Sequence, residues 1–241
     1  MPLGEIALDA VGSSGHRSFL VGFEDELAET TTEAAPACGA KALGTMRVYL
    51  ATGNVGKVRE FRALLDGAFD LVMPDAYEAP DEEESTYEGN AAVKAHALAS
   101  QLRAMSDPRA VVLADDSGLE VDALGGAPGV LSARFGGEGV SWAQRRVALL
   151  RALEGVPEER RTARFVDVLY LDRPDREPLI ARGIVEGLVP LEERGDGGFS
   201  YDAVFYYPPL KKTFAEISAE AKNRVSHRAI AVRKLLEALK A

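Results

Sequence analysis

Residues Ala114–Phe135 read ADDSGLEVDALGGAPGVLSARF, and the apolar residues Val111 to Ala114 lead directly into two adjacent carboxylates, a hydroxyl and a glycine-rich turn. A short apolar run bounded by turn residues has the length of a buried strand and not of a helix. Asp115 and Asp116 are therefore expected at the carboxyl end of that strand. In an α/β sheet, ligands bind in the crevice outside the carboxyl ends of strands. Desolvating a carboxylate is costly unless it is paired, hydrogen-bonded or metal-bound, so the two acids mark either a surface turn or a site. The letters DDSG alone fit the turn equally well.

On either side of this stretch the chain alternates strands and helices. MRVYLAT, from Met46, reads as a strand that enters the loop TGNVGK, and Val58, Phe61 and Leu65 then recur at helical spacing. Phe69 to Met73 suggests a second strand, and Asp75 to Glu88 an acidic loop containing DEEE. A helix is expected over about Thr86 to Met105, with Val93, Ala97 and Leu98 on its apolar side. After GGAPG, Trp142 to Leu153 reads as a helix with Val147 and Leu150 facing inward. Thr162 to Leu171 and Leu179 to Val189 read as an antiparallel hairpin closed by the PDRE turn. GDGGFSYDAVF is a second glycine-rich loop entering a short strand, and the last helix covers about Ser226 to Lys240. The pattern is mixed α/β.

The segment 1–45 reads differently: it carries seven acids against two bases and shows no sustained period. It has neither the basic start and apolar core of a secretory signal nor the Arg-rich, acid-poor character of a transit peptide. A disordered acidic extension is expected there, with residues 46–241 as the folded domain. Because Met46 directly precedes the first strand, a start at Met46 is the alternative, and the N-terminal mass of the native protein separates the two.

The net charge of −10 argues against nucleic acid as a partner, because duplex binding leans on clustered Lys and Arg. No apolar run approaches the roughly 20 residues that span a bilayer, so no membrane partner is expected. The single cysteine, Cys38, excludes an internal disulfide.

Thr52 to Lys57 invites comparison with a P-loop, but Ala51 and Val58 stand where that motif needs Gly and Ser or Thr. A loop between strand and helix still aims backbone N–H groups at an anion, with Lys57 adding charge; an ordinary turn with a solvated lysine is the alternative. Asp81 to Glu84 is a solvated loop or a source of Mg²⁺ ligands, since Mg²⁺ takes one or two carboxylates and leaves its other positions to phosphates and water. Asn90 and Lys94 share a helix face. Lys222, Ser226, His227 and Arg228 gather donors at a helix start, where Ser226 equally serves as a cap. Phe199, Tyr201 and Asp202 offer stacking and acceptors for a base, or simply core aromatics in a turn. Nucleophilic catalysis lacks a G-x-S-x-G motif, so metal-assisted hydrolysis fits better.

Read together and in order, TGNVGKVRE, NAAVKA, ADDSGLEVDALGGAPGVLSARF, GGFSYDAVF, TFAEIS and KNRVSHRA resemble the inosine/xanthosine triphosphate pyrophosphatase family from Met46 to about Leu239. The resemblance implies a mixed central β-sheet flanked by helices, a hairpin-rich second lobe and an active cleft between the lobes. It also implies a cytoplasmic homodimer that uses Mg²⁺ to hydrolyse ITP, dITP and XTP to the monophosphate and pyrophosphate. Carried over by motif, the phosphate loop falls on Thr52, Gly53, Asn54, Val55, Gly56 and Lys57, with Lys94 as a further phosphate contact. The metal acids fall on Asp116 and Glu82, with Glu83 and Glu84 as neighbouring alternatives to the latter. Asp116 is the implied proton acceptor, with Asp115 beside it and Ser117 touching substrate. Base recognition falls on Phe199, Ser200, Tyr201 and Asp202 with Lys222, His227 and Arg228. Ser200 stands where the family usually has glycine, Ala203 where proline is common and Leu131 where an aromatic is frequent.

The implied chemistry is attack of water on the α-phosphorus. A 6-keto purine would accept hydrogen bonds from Lys222 or Arg228, whereas adenine would leave such donors unpaired at about 1 to 3 kcal/mol each. The rival readings are a pyrophosphatase for pyrimidine or other modified triphosphates and a nucleotide sensor without turnover.

Overall fold

The computed structural model describes residues 46–74 and 77–241. The expected extension and the question of the start lie outside the described residues.

One seven-stranded sheet organises the chain, with strand order β2-β1-β3-β4-β5-β6-β7. Its strands are β1 (Arg47–Ala51), β2 (Asp70–Val72), β3 (Val112–Val121), β4 (Thr162–Asp172), β5 (Leu179–Leu188), β6 (Tyr206–Tyr207) and β7 (Lys212–Thr213). β1 runs parallel to β2 and β3, and every later pairing is antiparallel, so the sheet is mixed. The helices are α1 (Val55–Leu64), α2 (Tyr87–Met105), α3 (Trp142–Ala152), α4 (Ala219–Val225) and α5 (His227–Ala238). Among the described residues no helix is long and apolar enough to cross a membrane.

Strand alternation divides the core between the faces. Val48, Leu50, Leu113, Leu169 and Leu171 meet Phe61 of α1, Leu65 just after it, and Val232 and Leu235 of α5. On the other face Ala51, Val112 and Ala114 meet Ala91, Ala95 and Leu98 of α2. A third cluster gathers Leu119, Val121 and Phe165 with Leu149 of α3 and with Phe205 and Phe214. The two expected lobes are thus the two ends of one continuous sheet. α5 sits hard against β5: a Cβ on Gly183 would come within 2.0 Å of the His227 carbonyl oxygen.

Three expectations change. The strand expected to end before Asp115 continues to Val121, because ten β3 residues from Val112 onward pair with β4 and carry the DDSG letters inside the ladder. The buried side of α2 is Ala91, Lys94, Ala95, Leu98 and Ala99, while Ala97 is exposed. In α3, Leu149 and Arg145 are buried and Val147 points outward. A polar residue in each buried stripe, Lys94 and Arg145, obscured the 3.6-residue period. The strand and hairpin boundaries elsewhere agree with expectation, and Thr86 and Ser226 cap α2 and α5 with their hydroxyls.

Candidate active site

β1 stops at Ala51 while β3 runs on, so beyond Ala114 the strand beside β3 is β4 alone, with a single bridge from Glu120 to Pro128 near the far end of β3. A cleft of about 410 Å³ opens at this unpaired flank, within the roughly 300–1,000 Å³ typical of small-molecule sites.

Alternation along β3 sends the adjacent acids to opposite faces. Asp116 faces α2, where Asn90 Nδ2 donates to its Oδ2 at 3.1 Å and Lys94 Nζ to its Oδ1 at 3.2 Å. Asp115 faces α1 and α5, with Lys57 Nζ 2.6 Å from its Oδ2 in an ion pair that lacks hydrogen-bond geometry. Asp116 lines the cleft; Asp115 is sealed behind it, its side chain 0% exposed. Burial raises the Asp116 pKa against the pull of Lys94 and Lys57. Burial acts the same way on Asp115, but Lys57, Lys94 and Arg228 outweigh it and lower its pKa. Asp116 therefore suits proton acceptance, and Asp115 is a fixed counter-ion.

Lys94 Nζ also donates to Glu82 Oε1 at 2.9 Å, so two carboxylates converge on one ammonium. Burial works against the Lys94 charge, yet Asp115, Asp116 and Glu82 overcome it and raise its pKa. Asp81, Glu83 and Glu84 are exposed, which separates Glu82 from its acidic neighbours. Asn90 Oδ1 accepts from the Glu84 amide at 3.1 Å, tying this loop to Asp116. Two carboxylates drawn to one cationic point fit Mg²⁺, which needs no more from the protein when phosphates and water complete its shell. No group of three or more acid, His or Cys ligands forms among the described residues.

The turn after β1 is built by Asn54, whose side chain accepts from the amides of Gly56 at 2.9 Å and Lys57 at 3.2 Å. Its own amide donates to Thr52 Oγ1 at 3.2 Å. Those three N–H groups are engaged, so the amides of Gly53 and Val55 are the ones left without an acceptor among the described residues. The Val55 side chain points to solvent, and Gly56 serves packing: a Cβ there would lie 2.8 Å from the Phe199 ring.

At the other end of the cleft, Lys222 Nζ lies 2.5 Å from Asp202 Oδ2 and 2.7 Å from Glu60 Oε1, with the Phe199 ring centroid 4.7 Å away. Asp202 Oδ2 also accepts from the Phe199 amide at 2.8 Å, which fixes the loop. Arg228 pairs with Glu60 and donates to Ser117 Oγ at 3.2 Å. Burial, with Arg228, Lys222 and Lys57 acting alongside, holds the His227 pKa well below its usual value, so this imidazole is neutral; it stacks on Phe165 at 4.6 Å. Ser200 adopts φ 59°, a conformation that favours glycine.

The chain matches the Ham1 family over residues 48–238.

It is a Ham1 family member. A Thermus thermophilus protein named dITP/XTP pyrophosphatase is 48% identical over 198 residues, covering 81% of this chain and 92% of the relative. A Geobacillus kaustophilus protein of the same name is 46% identical over 194 residues, covering 79% and 92%. The Staphylococcus aureus Ham1 protein superposes with TM-score 0.70 at 36% identity, over 80% of this chain and 98% of that one. A HAM1 protein from Coxiella burnetii gives the same TM-score and identity over 81% and 99%.

Of the family-derived residues, Thr52, Gly53, Asn54, Lys57, Glu82, Lys94, Asp116, Ser117, Phe199, Ser200, Tyr201, Asp202, Lys222, His227 and Arg228 line one cleft. Val55, Gly56 and Asp115 do not. Tyr201 forms wall and not stacking platform, because it is 1% exposed and its hydroxyl donates to the Ser132 carbonyl at 2.9 Å. Val130, Ser132 and Ala133, not the GGAPG turn itself, supply that wall. Sequence reasoning missed Glu60, Asp167, Trp142 and Tyr77. Glu60 was available as the residue three beyond Lys57 on one helix face, and Asp167 as an acid within the apolar run FVDVLYL.

Proposed function

We propose that this Ham1 family member hydrolyses deaminated purine nucleoside triphosphates, ITP, dITP and XTP, to the nucleoside monophosphate and pyrophosphate. The observation that carries this reading is Asp116: a carboxyl of raised pKa that shares an ammonium with Glu82 at one end of a cleft whose other end holds Phe199 beside buried donors.

Six carboxyl groups (Glu60, Glu82, Asp115, Asp116, Asp167, Asp202) stand against four cations (Lys57, Lys94, Lys222, Arg228) in and behind this cleft. A triphosphate adds further negative charge, so binding demands an additional cation. Glu82 and Asp116 would hold Mg²⁺, which supplies charge neutralisation and polarises phosphate oxygens when bound. Lys57, Lys94 and the amides of Gly53 and Val55 stabilise the phosphate oxygens. Asp116 takes the proton of the attacking water. The water oxygen bonds to the α-phosphorus, the P–O bond to the β-phosphate bridge breaks, and pyrophosphate leaves with that electron pair.

Phe199 provides the stacking face. Two of the three Lys222 protons are directed to Asp202 and Glu60, leaving one for a 6-keto oxygen. An adenine amino group would leave that donor unpaired, at about 1 to 3 kcal/mol. We infer further that the enzyme works in the cytoplasm as a homodimer, for which exposed Leu131, Ile180 and Ile184 offer apolar surface.

The test is pyrophosphate release from ITP, dITP, XTP, GTP, ATP and dUTP with and without Mg²⁺. Metal-dependent turnover concentrated in the first three is expected. Preference for dUTP would favour the pyrimidine alternative, and binding without turnover the sensor.

A further inference from the structure

Behind the cleft floor, unpartnered polar atoms accumulate. Asp167 sits in the middle of β4, opposite Ser117 on β3, and is 0% exposed. Neither of its oxygens has a hydrogen-bond partner, nor do the two oxygens of Asp115 or Nε of Arg228. These five atoms are the majority of the nine such atoms among the described residues. Arg228 Nε lies 3.7 Å from Asp167 Oδ1, and Asp115 is the neighbour on the other side. Buried polar groups are paired in nearly every native structure, so a gathering of orphans asks for a missing hydrogen atom or a shared partner.

An ionised Asp167 cannot meet the demand, since it only accepts and would face the anion of Asp115. A protonated Asp167 gives a partner to both of its own oxygens, to one Asp115 oxygen and to Arg228 Nε, while Lys57 faces the Asp115 carboxylate from the other side. Its O–H can donate to Asp115, and its carbonyl oxygen faces the Nε–H of Arg228 across 3.7 Å. We propose that Asp167 is a positioning residue: as a neutral carboxylic acid it bridges Asp115 to Arg228, and so joins the side chains that hold the phosphates to those that read the base. Burial, with the Asp115 charge adding to it against Arg228, pushes the Asp167 pKa up to about 8, in accord with the bridge.

The bridge completes a continuous line of contacts from Lys57 through Asp115, Asp167, Arg228, Glu60 and Lys222 to Asp202. With the proton on Asp167, three cations and three anions alternate along it. Without that proton, two anions would be adjacent and buried, a costly arrangement.

Asparagine reproduces both polar contacts of the neutral acid, the N–H donor towards Asp115 and the carbonyl towards Arg228, whereas alanine makes neither. Asp167→Ala is expected to raise KM for XTP by about tenfold to a hundredfold, the worth of one hydrogen bond to a charged group. Asp167→Asn should restore most of that loss. Equal damage in both variants, or none in Asp167→Ala, overturns the proposal. The kinetic arm rests on the proposed pyrophosphatase reaction. A second arm does not: an infrared difference spectrum, wild type minus Asp167→Asn near neutral pH, should contain the C=O stretch of a protonated carboxyl. Carboxylate bands in its place overturn the proposal even if the enzyme's substrate is another triphosphate or if Asp167→Ala fails to fold.

Discussion

Asp115 and Asp116, neighbours in the chain, stand on opposite faces of β3: one is sealed against Lys57 at 2.6 Å, the other lines the cleft between Asn90 and Lys94. Their substitutions should therefore fail differently. Asp116→Asn is expected to lower kcat by at least about a hundredfold with little change in melting temperature, in the range of lost acid-base catalysis. Asp115→Asn should instead destabilise the fold by roughly 3 kcal/mol, because it strands a largely buried ammonium. Steady-state kinetics beside denaturant unfolding separate the two, and identical profiles would refute the division of labour.

Glu82 is the acid of the DEEE run that reaches Lys94 and the cleft; Glu83 and Glu84 are exposed. Glu82→Gln should shift the Mg²⁺ dependence of turnover to at least about tenfold higher concentration, the usual consequence of weakening a metal-binding carboxylate. Glu83→Gln and Glu84→Gln should leave that titration where it was. A shift in either exposed variant comparable to that of Glu82→Gln would count against the metal site.

The Phe199 ring occupies the space where a Cβ on Gly56 would stand, 2.8 Å from its atoms. Gly56 lies in the first turn of α1 at an unstrained φ, so alanine should help the helix by about 0.5–1 kcal/mol while displacing the ring. Gly56→Ala is thus expected to raise KM by about fivefold, or ~1 kcal/mol, without lowering the melting temperature. A lowered melting temperature with unchanged KM would mean that the contact serves stability and not the base.

Much of this was legible in sequence because it is local. The cap of α5, the β4–β5 hairpin and the Thr52–Lys57 turn after β1 each depend on residues within one segment. What was not legible depends on sheet partners far away. The letters DDSG look like a turn until ten β3 residues pair with β4. The separation of Asp115 from Asp116 follows from that pairing, because alternation acts only inside a strand. Likewise nothing local says that the Lys222 and Arg228 donors both converge on Glu60, more than 160 residues earlier in the chain.

Stability should carry the signature of the buried acid on β4. The Asp167 pKa is about 8 in the folded protein against about 3.9 unfolded. The folded state therefore binds more protons between these values, and stability from this group, complete below about pH 4, is lost as pH rises through about 8. Asp167→Asn removes this titration and leaves all others in place. Melting temperatures from acid to mild alkali should show the wild type losing ground to the variant as pH rises; parallel curves would contradict the assignment.

The most direct measurement is the fate of solvent oxygen during hydrolysis of XTP in oxygen-18 water. The expected products are XMP carrying the label and unlabelled pyrophosphate, with ATP turned over far more slowly. Labelled pyrophosphate, release of inorganic phosphate with a nucleoside diphosphate, or equal turnover of ATP would contradict water attack at the α-phosphorus of a selected deaminated purine.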